Sequence, residues 1–111
     1  MSNHLNVSIA VLSEIGGRKR NEDSCGHRTN AGRICCILCD GAGGHGGGDI
    51  ASQTAVASVL ESFEAEPLIS PQRVEQLIYL ANHRVMTRQS ESKTLEDMRA
   101  TLVVLMADTI N

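Results

Sequence analysis

At 111 residues the chain has room for one modest domain with a single hydrophobic core, which if compact buries about 65% of its extended surface. Ten Lys and Arg against thirteen Asp and Glu leave a formal net charge of -3, so no broad basic field exists to hold nucleic acid or an anionic membrane. Phe63 and Tyr79 are the sole aromatics, too few to stack bases, and no apolar run approaches the ~18 residues of a membrane span, so a soluble, cytoplasmic protein is expected.

Val7, Ile9 and Val11 alternate with Ser8 and Ala10, the period of a half-buried strand, and Gly16-Gly17 ends that run. A turn-like stretch from Arg18 to Arg33 follows, with a second strand in its middle and Asn30 to Gly32 as a hairpin turn. Ile34 to Cys39 is an unbroken apolar run, the pattern of a strand covered on both faces. Glycines come next. Val56, Val59, Leu60 and Phe63 then fall at i, i+3, i+4 and i+7, which predicts a helix from about Ile50 to Glu64. Ser70-Pro71 supplies an N-cap with proline at the first helical position, and Val74, Leu77, Ile78, Ala81 and Val85 make one apolar stripe of a second helix, about 71 to 89. Gln89 to Arg99 is polar and reads as a loop. Thr101 to Ala107 is a β-rich apolar run that predicts a further internal strand, in need of neighbours on both sides.

Cys36-x-x-Cys39 has metal-ligand spacing on paper. In an extended strand, however, residues three apart project to opposite faces, and no second Cys pair completes four ligands. Cys25, Cys35, Cys36 and Cys39 therefore read as small hydrophobes of a reduced protein. The glycine stretch Gly41-Ala42-Gly43-Gly44-His45-Gly46 fits G-x-G-x-x-G letter for letter. A dinucleotide site also needs a second strand after the helix, with an acid about 20 residues on for the ribose. Here that position is Glu61, inside the helix, and another helix follows, so the dinucleotide reading fails on context.

An acid at the end of a buried strand followed by glycine has another use, because carboxylate and backbone carbonyl can then face a hard cation together. Asp40 and Gly41 fit that role for Mg²⁺ or Mn²⁺. Glu22-Asp23 adds acids just upstream, with Arg18 four residues before Glu22. Cations and a planar guanidinium are what phosphate-ester chemistry requires, to polarise the phosphoryl group and orient its oxygens.

Arg18-Lys19-Arg20-Asn21-Glu22-Asp23 resembles the R-x-x-N-E-D segment of the metal-dependent type 2C serine/threonine protein phosphatases of bacterial type, and Asp40-Gly41-Ala42-Gly43-Gly44-His45 resembles their D-G-x-G-G-H segment. Met98 to Val104 is similar to the family strand with threonine at its start. The resemblance implies an α+β fold, part of a four-layer α-β-β-α sandwich of paired antiparallel sheets flanked by helices. It implies direct attack of water on phosphoserine or phosphothreonine, with no phosphoenzyme, and two Mn²⁺ or Mg²⁺ ions as cofactors. By position it makes Asp40 the bridge between the ions, with Glu22 and the Gly41 carbonyl completing one site. Asp23 orients water, Arg18 holds the substrate phosphate, and Thr101 has at most a minor role. Phosphoproteins are the implied partners, without nucleic acid or membrane, and the opposing enzyme is a cytoplasmic serine/threonine kinase.

Plainer readings stand beside these. Glu22 and Asp23 also suit a solvated turn with Arg18 paired to one of them, and Thr101 suits a strand on propensity alone. His27 and His83 read as ordinary polar positions, and His45 as a residue that shapes the loop. Two departures from the family pattern bear on activity. Ala42 stands where members often have a histidine proposed to protonate the leaving alcohol. A complete catalytic domain is also about twice this length, above the usual ~100–150 residues of a domain. Residues 1–111 are thus expected to be the N-terminal portion of a single catalytic domain, carrying about half the metal site and weak or inactive alone. A second reading is a non-catalytic interaction module that dimerises through the unpaired strand Thr101 to Ala107.

Overall fold

One of the two favoured two-residue hairpin turns takes positive φ at both turn positions, which matches the right-handed strand twist. Ala31 and Gly32 have φ of 54° and 76°, and they join β1 (Asp23–Asn30) to β2 (Arg33–Ala42) as the expected hairpin. The computed structural model describes residues 22–42, 47–95 and 98–108; the strand expected around Val7 to Val11 lies outside them. After the hairpin come α1 (Gly48–Ala65), α2 (Pro71–Gln89), a single 3-10 turn at Lys93–Leu95 and β3 (Arg99–Asp108). Both helices match their predicted spans within about two residues.

The sheet has the order β1-β2-β3, antiparallel throughout, with β2 in the centre. Alternation on β2 sends Cys35, Ile37 and Cys39 to one face, where they join Leu102, Val104 and Met106 of β3. The helices cover that face. Ala55, Val59, Leu60 and Phe63 of α1 and Leu77 and Ala81 of α2 complete the core, α1 lying over β1 and β2 and packing against α2. Burying each large apolar side chain of this set contributes about 1.5–3 kcal/mol. The fold is α+β, one helix layer on one antiparallel sheet, which is half of the α-β-β-α order expected from the sequence.

Side chains at helix ends tie the elements together. Ser70 caps α2 by accepting a hydrogen bond from the Arg73 backbone N–H at 3.0 Å. The Arg73 guanidinium in turn donates to the Ser62 carbonyl at 2.8 Å, the Ser62 hydroxyl at 3.0 Å and the Glu66 carbonyl at 3.2 Å. Since α1 has no basic residue in its own last turn, Arg73 supplies the cation that its C-terminal carbonyls favour. At the turn end of the hairpin, Arg33 pairs with Asp108 at 3.1 Å and donates to the Pro67 carbonyl at 2.9 Å, while the Asn30 amide donates to the Glu64 carbonyl at 3.0 Å.

The opposite face departs from expectation. Leu38, Val103 and Leu105 are 55%, 65% and 63% exposed, so the described residues leave that stretch of the face open, although Ile34 on the same face of β2 is buried. The unbroken run Ile34 to Cys39 arose because both faces of the sheet are apolar, not because both are covered by the described residues. Likewise β3, expected as an internal strand, pairs only with β2 among those residues. No helix among the described residues is long and apolar enough to cross a membrane.

All four cysteines are free, and Cys36 and Cys39 lie on opposite faces as strand geometry requires. Burial pushes the Cys35 and Cys39 thiols up from 9.0 to about 11, with the neighbouring Cys36 adding to the effect on Cys35. They are protonated at neutral pH and so poor nucleophiles there. Unfolding returns both to ordinary thiol acidity, so the unfolded chain releases protons first as pH rises, and folded-state stability falls across the window from pH 9 to about 11. Urea titrations should give a flat stability below pH 8 and a fall between pH 9 and 11 that Cys35→Ala, Cys39→Ala double substitution removes.

Candidate active site

Contact between two backbones builds the site. The Gly41 N–H donates to the Glu22 carbonyl at 3.0 Å, extending the hairpin ladder by one residue beyond β1. A Cβ on Gly41 would lie 1.9 Å from the Gly48 carbonyl oxygen and 2.5 Å from the Glu22 carbonyl oxygen. Gly48, the first residue of α1, is equally tight: a Cβ there would meet the Ala42 nitrogen at 2.6 Å and the Glu22 carboxylate at 2.7–2.8 Å. The end of β2 and the start of α1 thus touch without side chains between them, and the Glu22 carboxylate sits against the first helical turn, where the helix dipole favours an anion. Ser52, fully buried, donates to the Asp49 carbonyl at 3.2 Å and lies 3.0 Å from the Ser24 hydroxyl, which therefore donates to it. That pair ties the first turns of α1 to β1.

Strand register places the acids. Asp40 belongs to β2 itself and stands directly opposite Asp23 on one side and Thr101 on the other. Asp23, Asp40 and Thr101 form a row across all three strands on the face away from the helices, with neighbouring Cβ atoms about 4.5–5.5 Å apart. Two carboxylates so opposed repel each other, an arrangement that a cation between them offsets. Asp23 begins a strand, so the solvated-turn reading does not describe it. Thr101 stands opposite Asp40 in register. Asp40 and Thr101 also line one cavity of about 150 Å³, with Ala42, Arg99 and Ala100.

The donors at this sheet end are all oxygens, the set that hard divalent cations take. Glu22, Asp23 and Asp40 supply carboxylates and Gly41 a carbonyl. Glu22 approaches from the helix side, whereas Asp23 and Asp40 share the open face. Among the described residues, no three His, Cys, Asp or Glu side chains form a group that could hold a metal ion. The donor chemistry fits Mn²⁺ or Mg²⁺, while the count of converging side chains stops short of a complete site. Arg18 and His45 lie outside the described residues; His27 and His83 are exposed, on β1 and α2.

Comparison with known proteins identifies the family. The family model of protein phosphatase 2C matches residues 13–109. The chain belongs to that family. It is 42% identical over 55 residues to protein phosphatase PhpP of Streptococcus pneumoniae, covering 48% of this chain and 22% of PhpP. Its structure superposes on a bacterial serine phosphatase carrying one substitution with a TM-score of 0.77 at 29% identity, covering 86% of this chain and 46% of that one. Serine/threonine phosphatase Stp1 from Staphylococcus aureus gives 0.75 at 27% identity, over 94% and 45% of the respective chains. The chain thus spans less than half the length of these relatives and corresponds to the N-terminal part of the phosphatase 2C fold. The family is generally metal-dependent.

Gly48, Ser52 and Arg99 were not picked out from the sequence. Gly48 carried one local signal, a glycine opening a helix, but its contact with Glu22 depends on the fold of the hairpin. Ser52 and Arg99 carried none. A Gly41→Ala substitution forces its methyl into the Gly48 backbone, which no rotamer change relieves, so it should lower stability by about 3 kcal/mol. Urea denaturation followed by circular dichroism measures this directly, and an unchanged midpoint contradicts the close approach.

Proposed function

We propose that the protein carrying this chain hydrolyses phosphoserine and phosphothreonine in proteins, reversing a cytoplasmic serine/threonine kinase, and that residues 1–111 form the N-terminal portion of its single catalytic domain. The observation that supports this most is the register that sets Asp40 between Asp23 and Thr101 at the sheet end, inside a match to protein phosphatase 2C. Phosphatase relatives of the same fold support phosphoproteins as substrates.

When bound, two divalent cations supply Lewis acidity to the phosphoryl group and activate water at neutral pH. Asp40 is the residue proposed to hold both, with Glu22 and the Gly41 carbonyl holding one of them. Asp23 orients the attacking water through its carboxylate, and Arg18 holds the substrate phosphate. Thr101, opposite Asp40 in register, has at most a minor role. Ala42 has no proton to give, so the leaving alcohol takes its proton from elsewhere. Since the described residues bring too few side-chain ligands together to complete a metal site, this chain alone is proposed to be a weak catalyst.

The test is Mn²⁺-dependent phosphate release from a phosphothreonine peptide. Release by this chain should be slow, depend on Mn²⁺, and fall at least about 100-fold in Asp40→Asn, the loss expected when a metal-held group is removed. Release that ignores Asp40 or persists in EDTA overturns the reading.

One observation favours a second reading, an interaction module. Leu38, Val103 and Leu105 expose an apolar patch on the open sheet face, and such a patch seeks a cover. On this reading two copies associate through β3 and that face. Light scattering should then report a dimer that Val103→Lys, Leu105→Lys double substitution dissociates, whereas a wild-type monomer at all concentrations removes this alternative.

A further inference from the structure

Most arginines of the described residues already have work. Arg28 donates to a backbone carbonyl, Arg33 and Arg88 pair with Asp108 and Glu91, and Arg73 holds the end of α1. Arg99 differs. It opens β3, is exposed, and stands in register opposite Ala42, two residues along β2 from Asp40 and on the same face. Among the described residues neither Arg99 nor Asp40 makes an ion pair or a side-chain hydrogen bond, yet both line the same cavity of about 150 Å³. That volume admits a group of several non-hydrogen atoms. Diagonal neighbours across antiparallel strands are about 7–8 Å apart, within the reach of an arginine side chain, and the methyl of Ala42 leaves the path between them open.

We propose that Arg99 is a phosphate-binding residue of this site, its guanidinium taking the oxygens of a phosphoserine or phosphothreonine side chain presented to Asp40; this rests on the phosphatase reading above. Two carboxylates on one face repel a phosphate dianion, and the binding of such a group there calls for a cation beside them. A planar fork of N–H donors answers that need with two parallel bonds to phosphate oxygens, which an ammonium cannot reproduce. Arg99 also borders the larger groove of about 370 Å³ between α2 and β3, lined by Tyr79, Val85, Met86 and Leu102.

The experiment follows the Arg99 Nε–H resonance by NMR in EDTA, assigned by its absence in Arg99→Lys, while the chain is titrated with a phosphothreonine peptide or its unphosphorylated form. The phosphorylated peptide should shift the resonance saturably and the unphosphorylated one should not. Arg99→Ala should weaken phosphopeptide affinity about 10-fold, with Arg99→Lys restoring only part of it. An unmoved resonance, or equal affinities of wild type and Arg99→Ala, overturns the proposal. The metal reading is tested separately by the Mn²⁺-induced rise in melting temperature, which should vanish in Asp40→Asn and persist in Arg99→Ala. Loss of that rise in wild type, with the Arg99 shift intact, strikes the metal reading alone.

Discussion

Everything at the functional end of this molecule depends on the backbone contact between Gly41 and Gly48. A side chain at either position would hold the start of α1 away from the end of β2, and the Glu22 carboxylate would lose its place against the first helical turn. Because α1 is the helix that covers β1 and β2, its placement at this end also fixes where Val59, Leu60 and Phe63 enter the core. One steric requirement therefore couples the packing of the helix layer to the position of the acids. Arg73 and Ser70 impose the matching restraint at the other end of α1, so that the helix is located at both termini by polar contacts and along its length by apolar ones.

The sheet divides labour between its faces. Residues toward the helices are small or aliphatic and fully used in packing, including Cys35 and Cys39, whose thiols remain protonated because they are buried. Residues on the other face place the row Asp23, Asp40 and Thr101 at one end and an apolar patch beyond it. A strand that serves both faces must satisfy both demands at once, which is why β2 shows so little polar alternation.

Much of this was legible in the residues. The i, i+3, i+4, i+7 spacing located α1, and Ser70-Pro71 located the start of α2, because capping and helical periodicity are local properties of the chain. Asn30 to Gly32 marked the hairpin turn for the same reason. The acids Glu22, Asp23 and Asp40 were also recognisable by type and spacing. What could not be read was register: the pairing of Asp40 with Thr101 joins residues separated by two helices, and Arg99 acquires its neighbours only through that pairing. The apolar run Ile34 to Cys39 reports the character of both faces of β2, but not which described elements lie on them.

The chain order of the elements has a consequence for how the molecule is assembled. The β1–β2 hairpin and the α1–α2 pair are each closed by short connections, so both form early at little cost in loop entropy. β3 pairs with β2 across the whole length of both helices and must wait for them. Among the described residues, the second edge of β2 is an unprotected template for another chain until β3 arrives, which makes that interval the one open to misassociation.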